Sequence, residues 1–254
     1  MSYVIIDRGN PAFETLKKGF NLRWPAAGNP GAALICICQT IADVQLAANN
    51  ALRNGYRMTI RSGGHCYEGF VSNAWPAQDG KPLVILDISM LTGMDYDASG
   101  KIPSPFDPTA TYQFRVAAGN QNWDNYLALY KRSGKTLPAG SCYSVGAGGH
   151  ICGGGYGLLS RKQGLTVDWL SGVDILVPGA NGEMIAKHVN DKSSGNDRLL
   201  YIACRGGGGG NFGIIVNYYF NDLPLAPRQA CWLALEFPWG EGGWQTVGKQ
   251  QFGE

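Results

Sequence analysis

Ala33-Leu-Ile-Cys-Ile-Cys38, Gln39-Thr40, the run 41–52 and Arg57-Met-Thr-Ile-Arg61-Ser-Gly-Gly-His65 form the stretch on which the fold turns. Residues 33–38 read as a buried strand. Thr40 reads as a helix N-cap with Asp43 in the first turn. Ile41, Val44, Ala48, Ala51 and Leu52 recur at the spacing of one apolar helix face, and Gly55 ends that helix. Residues 57–60 read as a second strand that runs straight into a tight Gly-Gly loop. A loop that follows the strand of a β-α-β unit is a common place for a ligand.

Outward from this unit, residues 83–88 and 114–118 predict further strands, and Trp123, Tyr126, Leu127 and Tyr130 predict a helix closed by Gly134. Residues 138–157 read as a Gly-rich loop and 158–163 as a short helix stopped by Gly164. Residues 173–177 and 183–186 read as a hairpin around Ala180-Asn181-Gly182, because Asn-Gly is a strong turn signal. Residues 213–220 predict the last clear strand. Leu223-Pro-Leu-Ala-Pro227 breaks the pattern, and residues 231–237 predict a new strand. The order implies an α+β fold of two α/β subdomains, a small N-terminal part and a larger part around a mixed sheet.

The 254 residues suffice for a large core. Only 16% are charged, with a net charge of +2 and no basic run, which argues against a nucleic-acid binder. No segment approaches about 18 consecutive apolar residues, which argues against a membrane span. The N-terminus lacks a basic region followed by an apolar stretch, which favours the cytoplasm. The seven cysteines are an odd number in a chain that needs no stapling, so a disulfide framework is not expected. Glycine is the anomaly: there are 37, concentrated near 146–157 and 206–213.

Gly208-Gly-Gly210-Asn-Phe-Gly213 fits G-x-G-x-x-G, but Ile214-Ile-Val-Asn-Tyr-Tyr follows and is strand-like, whereas a dinucleotide fingerprint opens a helix. Gly134-Lys-Thr136 lacks the first glycine of a P-loop, where Leu129 stands. Cys36, Cys38 and Cys204 sit among apolar neighbours and read as small packing residues. His65-Cys66 and His150-x-Cys152 lack the usual zinc spacings, and no metal is expected.

His65 alone would be an unremarked polar residue. Its flanks change that: Gly63 and Gly64 let the backbone pass close to a ligand, and Arg61 and Ser62 bring donors suited to phosphate oxygens. Cys142 lies in Pro138-Ala-Gly-Ser-Cys142-Tyr-Ser-Val-Gly146-Ala-Gly-Gly-His150, where glycines clear space on both sides. Successive backbone N–H groups in such loops form nests for anions.

These two motifs, extended to Gly69 and Gly157, together with Arg205-Gly-Gly-Gly-Gly-Gly-Asn-Phe-Gly213, resemble the berberine-bridge-enzyme-like flavoprotein oxidases over residues 15–220. The resemblance implies the vanillyl-alcohol-oxidase (PCMH) type of FAD-binding fold, with FAD between the two subdomains. It implies that His65 bonds the flavin 8α-methyl and Cys142 the flavin C6, while Cys152 stands where the motif tolerates a small residue. Arg61, Ser62, Gly63 and Gly64, with Gly146, Gly149 and His150, would cradle the pyrophosphate. Tyr67, Gly140, Val145, Gly153, Gly154 and Gly157 would complete the two loops around the cofactor. Tyr156, Asn211, Phe212 and Gly213 would border the isoalloxazine, and Val173 would present backbone to the adenine.

The resemblance also implies oxidation of an alcohol group, on a sugar or a secondary metabolite, by hydride transfer to flavin N5 with O2 as acceptor. Tyr67, Tyr126 and Tyr143 can each be considered as the base, and none is assigned. Residues 1–220 would be the FAD-binding domain and 221–254 the start of a substrate domain that is otherwise missing. A non-covalent FAD dehydrogenase of the same fold and a cofactor-free binding module are the alternatives.

Overall fold

The computed structural model describes residues 3–25, 31–73, 80–231 and 233–236. The N-terminal part contains β1 (Val4–Asp7), α1 (Phe13–Leu16), β2 (Ala32–Ile37), α2 (Ile41–Arg53), β3 (Arg57–Arg61) and β4 (Leu83–Asp87). Their sheet runs in the order β1-β2-β4-β3. β2, β4 and β3 are parallel and β1 is antiparallel to β2, so β4 separates the two strands that α2 connects. Ile35 faces Ile6 on one side and Ile85 on the other. Every residue of β4 is buried, as a central strand covered on both faces requires.

Thr40 and Asp43 form the expected capping box: Asp43 N–H donates to Thr40 Oγ1 at 3.1 Å and Thr40 N–H to Asp43 Oδ2 at 2.9 Å. Asn54 caps the other end, and Gly55 turns the chain with φ +70°. Val44, Ala47, Ala48 and Ala51 are buried between the helix and the Cys36, Cys38, Val84 and Leu86 side of the sheet. Burial raises the Cys36 thiol to about 11 and the Cys38 thiol to about 12, in keeping with packing roles. Phe13 of α1 covers Ile35 and Ile85 on the opposite face.

The second part contains β5 (Met94–Tyr96), β6 (Ile102–Ser104), β7 (Asp107–Tyr112), β8 (Phe114–Ala117), α3 (Asn122–Ser133), α4 (Ala147–Cys152), α5 (Ser160–Gln163), β9 (Leu170–Pro178), β10 (Met184–Asn190), α6 (Gly195–Ala203) and β11 (Ile214–Phe220). Its sheet, β10-β9-β11-β8-β5, is antiparallel throughout, so the mixed sheet belongs to the smaller part instead. β9 and β10 form the expected hairpin, with Gly182 at φ +79°. α2 ties the two sheets together: Gln45 Nε2 donates to Met184 O at 2.7 Å, and Met184 N–H donates to Asn49 Oδ1 at 2.7 Å.

The β6–β7 ribbon is anchored to the larger sheet by a buried polar network. Asp174 accepts from Ser104 Oγ, Asn217 Nδ2, Tyr219 O–H and His188 Nδ1 at 2.6 to 2.8 Å, and His188 Nε2 meets Tyr112 O–H at 2.7 Å.

Two further expectations are corrected. The Gly-rich segment 138–157 is not all loop, because α4 lies within it. Residues 231 and 233–236 form no strand: they meet no neighbouring strand among the described residues, and a strand needs ladder partners for its backbone groups. Residues 232 and 237 of that prediction lie outside the described residues.

Candidate functional site

Three loops meet beyond the ends of β3, β8 and the segment before α4. The first begins at Arg61, whose guanidinium turns inward. Its Nε and Nη2 donate to Asp87 Oδ2 at 2.9 and 2.6 Å, and Nη1 donates to the carbonyls of Leu16 and Lys18. The side chain expected at the pyrophosphate is thus committed to a buried strut between β3, β4 and the segment after α1. Only its backbone enters the loop.

Ser62 and Gly63 interlock with the third loop. Ser62 Oγ donates to Ala118 O at 2.7 Å, and the same carbonyl accepts Gly148 N–H at 2.8 Å. A Cβ at Gly63 would lie 2.2 Å from Gly146 N, and one at Gly146 would lie 2.2 Å from Ser62 Oγ. These glycines permit two backbones to touch. Gly64 follows at φ +75°, a conformation that favours glycine.

His65 is half-buried and held on two sides. Its ring stacks on Phe20, with centroids 4.2 Å apart and planes 10° apart, and Nε2 meets Ser144 Oγ at 3.1 Å. Burial lowers its pKa below 6.5, so the neutral ring is favoured at neutral pH. Ser144 lies 79 residues away in sequence and two beyond Cys142, so this contact joins the loops of both predicted attachment residues.

The Cys142 loop is clamped from below. Asn122 Nδ2 donates to Gly140 O at 3.3 Å and Cys142 O at 3.1 Å, and Tyr126 O–H donates to Gly140 O at 2.5 Å. Asn122 and Trp123 N–H donate to the carbonyls of Val145 and Tyr143. From α4, His150 Nε2 accepts Gly140 N–H at 2.7 Å. Burial lowers the His150 pKa, which keeps the lone pair that this bond needs. His150 is therefore spent on the loop. Cys142 itself is exposed as a free thiol.

Gly153, Gly154 and Gly157 continue the third loop. A Cβ at Gly157 would sit 1.9 Å from Ala139 O, so this glycine again serves a close backbone approach. At Gly149 an added Cβ would meet nothing within 4 Å. The backbone N–H groups of Gly63, Gly64, His65 and Gly149 meet no acceptor among the described residues. Unused donors, with open space beside Gly149, suit an anion such as a pyrophosphate. Tyr67, Tyr143 and Tyr156 present exposed rings around the same loops. The residues fit a large dinucleotide cofactor with an aromatic ring system.

A model described as "FAD binding domain" matches residues 32–186. The chain belongs to the FAD binding domain family. This FAD binding domain is similar to hexose oxidase of Chondrus crispus, 39% identical over 236 residues, 92% of this chain and 39% of the relative. It is also similar to berberine bridge enzyme-like 8 of Arabidopsis thaliana, 36% identical over 225 residues, 87% of this chain and 38% of that protein. Among solved structures, a glycopeptide hexose oxidase complexed with teicoplanin superposes with TM-score 0.73 at 32% identity, over 89% of this chain and 44% of that one. The chain thus spans about two fifths of the curated relatives it matches.

The remaining predicted residues of the FAD binding domain are more scattered. Gly209 and Gly210 bring the third glycine run near the site: a Cβ there would lie 3.4 Å from Cys152 Sγ and 3.7 Å from Ile60 Cγ1, respectively. That run links α6 to β11, a helix-loop-strand order that bears out rejection of the dinucleotide fingerprint. Phe212 is exposed, Asn211 donates to Gly207 O, and Gly213 is required by a Cβ position 2.5 Å from Leu176 O. Val173 is fully buried within β9. Tyr126, considered as a base, is a clamp whose hydroxyl burial pushes upward. Reading the sequence missed Phe20, Asn122 and Ser144. Asn122 and Tyr126 at i, i+4 were a legible pair, whereas nothing local marks Phe20.

Proposed function

We propose that this FAD binding domain holds its flavin by two bonds, from His65 to the 8α carbon and from Cys142 to C6. Residues 1–220 form that domain, and 221–254 begin the part that receives substrate. The whole protein oxidises an alcohol group, on a sugar or sugar-bearing metabolite, by hydride transfer to flavin N5, with O2 returning the flavin to its oxidised form. When bound, FAD supplies the two-electron chemistry.

The observation that carries this reading is the His65–Ser144 contact, because it brings the loops of the two attachment residues together. The chain's own residues bind and orient. The free N–H groups of Gly63, Gly64, His65 and Gly149 hold the pyrophosphate. Burial favours the neutral ring of His65, and Cys142 stands exposed on a clamped loop. The sugar substrate class is supported by the hexose oxidase of Chondrus crispus and the glycopeptide hexose oxidase complexed with teicoplanin. Acid precipitation tests the reading: flavin should stay with the protein pellet, and flavin released to the supernatant would contradict it.

A further inference from the structure

His65 and Ser144 form a pair whose chemistry goes beyond bringing two loops together. An imidazole can form a bond only through a nitrogen that carries a lone pair, so the tautomer decides which nitrogen reacts. Nε2 faces Ser144 Oγ at 3.1 Å, and the Phe20 ring, stacked at 4.2 Å, fixes the plane in which the imidazole lies. Phe20 is itself tied to the loop, since its N–H donates to Gly64 O at 2.9 Å. Rotation of the ring about its own bond is thereby restricted on one face.

We infer that Ser144 is a positioning residue for flavin attachment: its hydroxyl holds His65 as the Nε2–H tautomer with the Nδ1 lone pair directed outward. This rests on the reading of His65 as an attachment residue. Before attachment Nε2–H donates to Ser144 Oγ. Attachment joins Nδ1 to the 8α carbon while one C–H bond of that methyl breaks and the imidazole loses its Nε2 proton. Two electrons and two protons leave with O2 as hydrogen peroxide. Nε2 is then an acceptor, and the same hydroxyl turns to donate to it. A hydroxyl serves both states, which an amide N–H or a carbonyl does not. The low pKa of His65 agrees, because a protonated ring has no lone pair to offer.

The experiment uses Cys142→Ala protein so that only His65 can attach, prepared free of flavin and then supplied with FAD. Three versions are compared: Cys142→Ala alone, with Ser144→Ala, and with Ser144→Thr. Covalent FAD is followed by intact mass over time, and the His65 tautomer by nitrogen-15 NMR of the flavin-free protein. Loss of one orienting hydrogen bond should slow attachment about tenfold in the Ser144→Ala version. The Nε2–H tautomer should become mixed there, and Ser144→Thr should restore both readouts. Attachment at the parent rate in Ser144→Ala would overturn the inference and leave His65 attachment standing. So would failure of Thr to restore the rate or the tautomer. Absence of covalent FAD in Cys142→Ala alone would overturn the underlying reading and the inference with it.

Discussion

His150 Nε2 accepts the backbone N–H of Gly140 at 2.7 Å, so a histidine on α4 holds the loop that carries Cys142. Replacing it with Ala leaves a half-buried N–H without an acceptor. The expected loss is about 1–3 kcal/mol in urea unfolding at pH 7.5. Covalent flavin content should fall with it, because the Cys142 loop loses its upper clamp.

The same bond sets a pH dependence. Burial holds His150 and His65 below their ordinary value of 6.5 in the folded chain, so unfolding takes up protons as pH falls through that value. The stability they contribute is complete above pH 6.5 and is lost progressively below it, toward the depressed folded values. Denaturant midpoints between pH 7.5 and 5 should fall, and fall less steeply in His150→Ala. A flat wild-type profile would contradict this.

Two glycines in neighbouring positions should behave oppositely. Gly63→Ala would place a carbon 2.2 Å from Gly146 N and should cost about 1–3 kcal/mol by overpacking. Gly149→Ala meets no atom within 4 Å and lies within α4, so stability should hold or rise by about 0.5–1 kcal/mol. Its FAD uptake should nevertheless weaken, since the new methyl enters the open space beside free donors. Thermal unfolding and FAD titration of both variants separate the two effects.

Asp174 accepts four side-chain hydrogen bonds while fully buried, and it anchors the β6–β7 ribbon. Asp174→Ala strands Ser104, Asn217, Tyr219 and His188 together, and should cost about 3–5 kcal/mol. Denaturant unfolding measures it directly.

Local signals made much of this fold legible. Thr40 with Asp43 announced α2, Asn181-Gly182 announced the β9–β10 hairpin, and the apolar runs of β2, β4 and β11 were recognisable as strands. α4 was hidden because Gly148 and Gly149 weaken its intrinsic propensity. It is held instead by tertiary bonds: Ala147 and Gly148 N–H donate to Asn120 and Ala118 carbonyls, and Tyr218 O–H donates to Gly148 O. The inward turn of Arg61 was hidden because its partners, Asp87 and the carbonyls of Leu16 and Lys18, lie far off in sequence. His65 and Cys142 stood out through their glycine-flanked motifs. Phe20, which stacks on His65, carries no mark until the chain is folded.

Intact mass under denaturing conditions, for the wild type, His65→Ala, Cys142→Ala and the double variant, tests the proposed double attachment most directly. One FAD should remain on the wild type and on each single variant, and none on the double variant. A wild-type chain carrying no added mass would contradict it.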